Sequence, residues 1–164
     1  EIGLPVQGVM VETPAAVMNA EAILGEVDFV SIGTNDLTQY TMAADRLLGD
    51  LAHLNNPWQP AVLKMIKMTV EGAQRASVTA GKKKYVSVCG EAAADPALAV
   101  VLIGLGVDTL SMNAGAIPAV AAVLKSVTKE KAQQIAAIAL QQISSAEAKE
   151  SARKALPILD ELGL

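Results

Sequence analysis

Asp28-Phe-Val-Ser-Ile32 runs directly into Gly33-Thr34-Asn35-Asp36. An apolar, β-branched run that stops at a glycine and a polar cluster reads as a buried strand ending in a turn. The same grammar recurs along the chain. Gly8-Val-Met-Val ends in Glu12, Tyr85-Val-Ser-Val-Cys89 ends in Gly90-Glu91, and Asp108-Thr-Leu-Ser-Met112 ends in Asn113-Ala-Gly115. Helical signals fill the gaps. Thr13-Pro14 supplies an N-cap and a first-turn proline for a helix from Ala15 to Leu24, with Gly25 closing it in the left-handed conformation. A polar, irregular stretch is expected from Asp36 to Gln59. Pro60 opens the clearest helix, with Leu63, Ile66, Val70 and Ala73 at helical spacing and Gly81 near its end. Asp95-Pro96 caps the next helix, which stops at Gly104 or Gly106, and Pro118 starts another. Helical segments over 128–143 and 146–156 follow, joined by a capping box at Ser144-Ser-Ala-Glu147. Pro157 ends or kinks the last of them.

A strand-helix unit repeated four times, then extra helices, predicts an α/β fold with parallel strands and right-handed crossovers. The polar residues gather just past the strands: Glu12, Asn35-Asp36, Cys89-Gly90-Glu91 and Asn113. In parallel α/β folds that edge binds ligands. Four units are half of a (β/α)8 barrel, which needs about 250 residues. The 164 residues therefore form either an open four-stranded sheet or the second half of a barrel. The chain begins with Glu1 rather than Met and is expected to be a piece of something longer.

Composition narrows the function. The chain is 52% hydrophobic, which suits one domain with a sizeable core. Thirteen Lys+Arg face 17 Asp+Glu, a net charge of −4, so a nucleic-acid partner is not expected. Four aromatic residues (Phe29, Tyr40, Trp58, Tyr85) are too few for a base-stacking platform. One cysteine and one histidine rule out an internal disulfide and a Cys-rich zinc site. The most apolar stretch, Pro96 to Val107, is too short to span a bilayer. No signal peptide is legible, and a reducing, cytoplasmic location is expected.

Each rim residue has two readings. Glu12 and Asp36, at the ends of successive strands, suit Mg²⁺, which takes few carboxylates and keeps waters and substrate oxygens. By spacing alone they read more readily as acids placed near helix N-termini. Gly33-Thr-Asn-Asp36 can offer backbone N–H groups to a phosphate, or be an ordinary turn; it matches neither the Walker nor the dinucleotide pattern. Arg46 is a phosphate clamp or a solvated surface arginine. Cys89 is a rim thiol or a small buried hydrophobe. Lys82 to Lys84 and Lys129 to Lys131 read as solvated charge, and His53 as a surface residue.

Taken together, Gly8-Val-Met-Val-Glu-Thr-Pro-Ala-Ala16, the run from Val27 to Arg46 (VDFVSIGTNDLTQYTMAADR) and Val88-Cys-Gly-Glu91 resemble the phosphoenolpyruvate-binding domain of the Enzyme I family. These are the phosphoenolpyruvate–protein phosphotransferases of the bacterial sugar phosphotransferase system. The likeness runs from about residue 2 to about residue 140. Pyruvate,phosphate dikinases and phosphoenolpyruvate synthases share the Gly-Thr-Asn-Asp and Cys-Gly-Glu themes, but the Tyr-Thr-Met-Ala-Ala-Asp-Arg run looks more like Enzyme I. The resemblance implies the C-terminal half of a (β/α)8 TIM barrel over 1–143 and a C-terminal helical extension over 144–164. It implies that Glu12 and Asp36 hold Mg²⁺, that Asn35, Asp36 and Arg46 contact phosphoenolpyruvate, and that Cys89 protonates the enolpyruvate methylene carbon on the way to pyruvate. A thiol suits that task, because the ordinary cysteine pKa of about 8.5 keeps the proton on sulfur at neutral pH.

The family also implies a homodimer and an acceptor histidine in a separate N-terminal domain, which passes phosphate to the phosphocarrier protein HPr. His53 does not match that acceptor. Two expectations of different kinds follow: part of a phosphoenolpyruvate-dependent phosphotransferase, or a non-catalytic half-barrel that folds and self-associates.

Overall fold

Period-2 alternation in four short runs builds a single sheet. A computed structural model describes residues 5–164, so the first four residues of the expected 1–143 segment lie outside it. Strands β1 (Gly8–Val11), β2 (Phe29–Gly33), β3 (Tyr85–Cys89) and β4 (Thr109–Ser111) are all parallel, in the order β1-β2-β3-β4. Val11 pairs with Ile32, Gly33 with Cys89, and Cys89 with Ser111, so the strand ends align along one rim. This is the α/β half-barrel architecture that the strand-helix rhythm predicts.

The helices are α1 (Pro14–Met18), α2 (Ala20–Glu26), α3 (Thr34–Met42), α4 (Pro60–Ala80), α5 (Glu91–Ala94), α6 (Pro96–Leu105), α7 (Ile117–Lys125), α8 (Lys129–Leu140), α9 (Ser145–Lys154) and α10 (Ile158–Glu161). Val11, Val30, Ile32, Val86 and Val88 point from the sheet into the core they share with the helices. Ala97 to Leu102 on α6 are all fully buried. A helix apolar all round must be covered all round, and α7, α8 and α9 pack on it. Leu156 and Leu159, near the C-terminus, belong to the same core. The opposite face of the sheet has no helical cover: Met10 and Tyr85 are 48% and 51% exposed, and Ser31, Ser87 and Thr109 share that face. Among the described residues, no helix is long and apolar enough to cross a membrane.

Local capping chemistry placed most boundaries. Thr13 accepts from the Ala16 N–H, Asp95 from Ala97 and Leu98, Thr128 from Lys131, and Ser144 from Glu147. The Glu147 carboxylate accepts from the Ile143 N–H, one residue before the cap, rather than from the Ser144 N–H that a capping box uses. Four expectations are corrected. The helix expected from Ala15 to Leu24 breaks at Asn19, whose side-chain amide donates to the Ala15 carbonyl. Gly25 lies inside α2, and the chain leaves through extended Val27, so no left-handed cap is needed. The stretch from Asp36, expected to be irregular, is helical as far as Met42 in the nine-residue α3, anchored by buried Leu37 and Thr38. Lys82 to Lys84 are not simply solvated: Lys82 pairs with Asp28, Lys83 with Asp108, and buried Lys84 donates to the Val27 carbonyl at 2.7 Å.

Candidate active site at the strand ends

Glu12 is the first residue past β1, and its carboxylate lies across the Cα of Gly33. A Cβ built on Gly33 would stand 2.3 Å from Glu12 Oε1 and 2.9 Å from its carboxyl carbon. Only glycine leaves room for that carboxylate at the end of β2. The chain then turns into α3, which puts Asn35 and Asp36 in its first turn. Thr34 ties this turn to the neighbouring strand: its hydroxyl donates to the Cys89 carbonyl at 3.3 Å.

Cys89 is the last residue of β3 and is half-buried. Its Sγ–H donates to the Ile32 carbonyl at 3.5 Å, which holds the thiol, with its proton, against β2. Gly90 follows at φ 92, a left-handed conformation that side chains resist, and its N–H bonds to the Ser111 carbonyl. The strand therefore turns sharply away immediately after the sulfur.

Beyond α3 the chain enters the segment that carries Arg46. Its backbone N–H donates to Gln39 Oε1 at 3.0 Å, and its Nη1 reaches Asp36 Oδ2 at 3.4 Å. Both side chains are partly exposed (47% and 32%), so this long ion pair is weak and readily exchanged. A cleft of about 280 Å³ lies alongside, lined by Asn35, Thr38, Arg46, Asn55, Pro57 and Glu91 among others. A larger hollow of about 530 Å³ lies at the opposite end of the strands, by Phe29 and Tyr85. It is mostly apolar floor of the uncovered sheet face. The rim at the C-terminal ends gathers the donors and acceptors, and it is the end where parallel strands bind ligands.

The structure thus brings Asn35, Arg46 and Glu91 onto one cleft and joins Asp36 to them through Arg46. Glu12 and Cys89 do not line that cleft. They stand at the ends of β1 and β3, on either side of β2. His53 is exposed, near the Asp50 carbonyl, and takes no part. Asp36 pairs with the Arg46 guanidinium and Glu91 lines the same cleft, an excess of negative charge that an anionic ligand meets more easily with a cation's help. Glu12 and Asp36 are the hard oxygen donors on offer to a divalent cation. Among the described residues, no group of three or more His, Cys, Asp or Glu forms a complete metal cage. A set of two carboxylates suits Mg²⁺, which fills its remaining positions with water and substrate oxygens.

The family model for the PEP-binding domain of PEP-utilising enzymes matches residues 4–129. The chain belongs to this family. The PEP-binding domain described here is 46% identical over 149 residues to a phosphoenolpyruvate-protein phosphotransferase of Streptomyces coelicolor, covering 91% of this chain and 26% of the relative. It is 42% identical over 140 residues to the Haemophilus influenzae protein of the same name, covering 85% of this chain and 23% of that one. A multiphosphoryl transfer protein of Xanthomonas campestris is 46% identical over 138 residues, covering 84% of this chain and 16% of the relative. The chain spans about a quarter of the length of the first two.

Within this PEP-binding domain, the sequence marks Gly33 and Thr34 only as part of a turn that can offer backbone N–H groups to a phosphate. The role of Gly33 as the floor under Glu12 depends on the β1–β2 register. Thr34 is 1% exposed and bonds across 55 positions of sequence. Asn55 carried no signal in a polar stretch, and only the folded path of the chain brings it to the cleft.

Proposed function

We propose that the chain is the rim-bearing part of a cytoplasmic phosphoenolpyruvate-dependent protein phosphotransferase of the sugar phosphotransferase system. It handles phosphoenolpyruvate and pyruvate, while an N-terminal domain supplies the acceptor histidine and passes phosphate to HPr. The observation that carries this reading is the Gly33–Cys89 register, which sets a thiol beside the turn bearing Asn35 and Asp36. The phosphotransferase names of the relatives favour it over a dikinase or synthase.

Asn35 and Arg46 hold the oxygens of phosphoenolpyruvate, with Arg46 able to grip phosphate through two N–H groups. Glu12 and Asp36 would hold Mg²⁺, which when bound neutralises charge on the phosphate oxygens. The Arg46–Asp36 contact is long, at 3.4 Å, and partly exposed, so the guanidinium can exchange it for the substrate phosphate. When the bond from phosphorus to the enol oxygen breaks, its electron pair stays on oxygen and the phosphorus bonds to the acceptor nitrogen. Cys89 then gives its proton to the methylene carbon, yielding pyruvate and a thiolate that recovers a proton from solvent. The test is Cys89→Ala in this chain fused to the N-terminal part of the Streptomyces coelicolor relative. Pyruvate release should fall about 10²–10⁴-fold with phosphoenolpyruvate binding retained. Wild-type turnover in the variant removes Cys89 from the mechanism.

A second reading, a self-associating module without activity of its own, is favoured by the uncovered sheet face. β1 and β4 are edge strands, and Met10, Phe29 and Tyr85 lie on that face. Such edges and faces pair, which also suits a homodimer.

A further inference from the structure

Among the described residues, the buried side-chain polar atoms that lack any hydrogen-bond partner are Thr41 Oγ1 and both amide atoms of Asn55. They bracket the segment that carries Arg46. The segment opens at Ala43, at φ 51 the one non-glycine residue with a left-handed backbone among those described. A buried donor and acceptor left without partners is costly, and folded proteins keep such groups mainly where something binds. The neighbouring Asn56 shows the contrast: its side chain accepts from the Trp58 N–H at 3.0 Å and its carbonyl from the Gln59 N–H. Asn56 shapes the turn, whereas the Asn55 side chain has no partner and the residue lines the cleft with Asn35 and Arg46.

We infer that Asn55 is a ligand-contacting residue of this cleft, its amide held in reserve for a phosphate- or carboxylate-bearing anion. The inference rests on the substrate reading above and adds a residue to it. The Nδ2–H₂ group donates to an anionic oxygen already gripped by Arg46 and Asn35. The Oδ1 accepts from a water that enters with the anion. Arg46 supplies charge and Asn55 supplies direction, since an amide donates along fixed lines and cannot attract anions from a distance. The backbone between Ala43 and Asn55 is bonded through its own turns, with the Asn55 N–H on the Ala52 carbonyl, so the unmet groups belong to the Asn55 side chain alone and await a ligand.

The test is a titration of the ¹⁵N-labelled chain with phosphoenolpyruvate plus Mg²⁺, and separately with inorganic phosphate, followed by NMR. The Asn55 side-chain N–H₂ signals should shift together with Asn35 and Arg46. In Asn55→Leu, which removes both unmet groups at similar volume, binding should weaken about tenfold or more while the thermal midpoint holds or rises. Asn55→Asp should weaken binding at least as much, because it sets a negative charge against the anion. A silent Asn55 while Asn35 and Arg46 respond overturns the inference and leaves the site standing. Unchanged binding in both variants, or a large drop in the thermal midpoint of Asn55→Leu, also overturns it, the latter by revealing a structural partner. If none of the three residues responds to either ligand, the substrate reading itself falls, and this inference with it.

Discussion

Replacing Gly33 by alanine tests whether the Glu12 carboxylate sits where a metal needs it. The backbone does not object: Gly33 lies at φ −85 and ψ 92, open to any residue. The new Cβ meets Glu12 first, at 2.3 Å from Oε1, 2.8 Å from Cγ and 2.9 Å from the carboxyl carbon. The three nearest atoms all belong to one flexible side chain, so Glu12 swings aside and the strands stay in place. Turning it off its rotamer costs about 0.5–1.5 kcal/mol. The loss of glycine's freedom in the unfolded chain returns about 0.4–1 kcal/mol. The net change in stability is therefore within about 1 kcal/mol, or about 4 °C in Tm for a chain of this size. The carboxylate, however, leaves the rim. Displacing a residue that orients a metal site costs about 10–100-fold in affinity, so the Mg²⁺ concentration needed for half-maximal phosphoenolpyruvate binding should rise by that factor. Calorimetric titration reads the Mg²⁺ dependence, and circular dichroism reads the Tm. Gly33→Ala combined with Glu12→Gln should be no worse than Glu12→Gln alone, because both remove the same ligand. An unchanged Mg²⁺ requirement in Gly33→Ala beside a raised one in Glu12→Gln would refute the geometric argument. A Tm loss of about 10 °C or more would show that Glu12 packs structurally instead.

Asp95→Ala should destabilise the chain by about 2–4 kcal/mol in urea unfolding: it removes the cap from α6 and leaves the buried Trp58 indole N–H, now 3.0 Å from Asp95 Oδ2, without an acceptor. A loss below about 1 kcal/mol would mean that another group takes over both roles. The Lys82 hydrogen bond, then the Gln7 N–H, hold the Asp28 carboxyl below its ordinary 3.8. A carboxylate with a depressed folded pKa stabilises above its unfolded value and loses that contribution as pH falls below about 4. Acid unfolding of Asp28→Asn should accordingly show a shallower decline there, and an unaltered acid limb would exclude this pair as its cause. Light scattering of the chain in dilute buffer should give a mass above that of one chain, since Met10 and Tyr85 lie open on a sheet face with two free edges; a monomer at all concentrations would contradict this.

Short-range chemistry was legible in the sequence alone. Tyr85–Cys89 is a strand from end to end because five residues alternate in burial between Gly81 and Gly90, both at positive φ. Pro60 and Asp95-Pro96 start helices because their signals act within one turn. Motif order placed Glu12, Asn35, Asp36 and Cys89 at the strand ends, since β-α repeats deliver those ends to one edge, while Arg46 was singled out by the family resemblance. What stayed hidden depends on groups far apart in the chain. Lys84 reads as a solvated charge until the fold brings the Val27 carbonyl to its ammonium across 57 positions. Gly33 reads as a turn until β1 is laid beside β2 and a carboxylate needs the space. Asn55 reads as loop filler until the return of the chain toward α4 buries its amide beside Arg46. Periodicity and caps report on energies within a few residues, so the sequence by itself determined the parallel α/β class and which residues follow its strands. Only the tertiary structure decided which of those groups meet, because burial and register are set by the whole sheet at once.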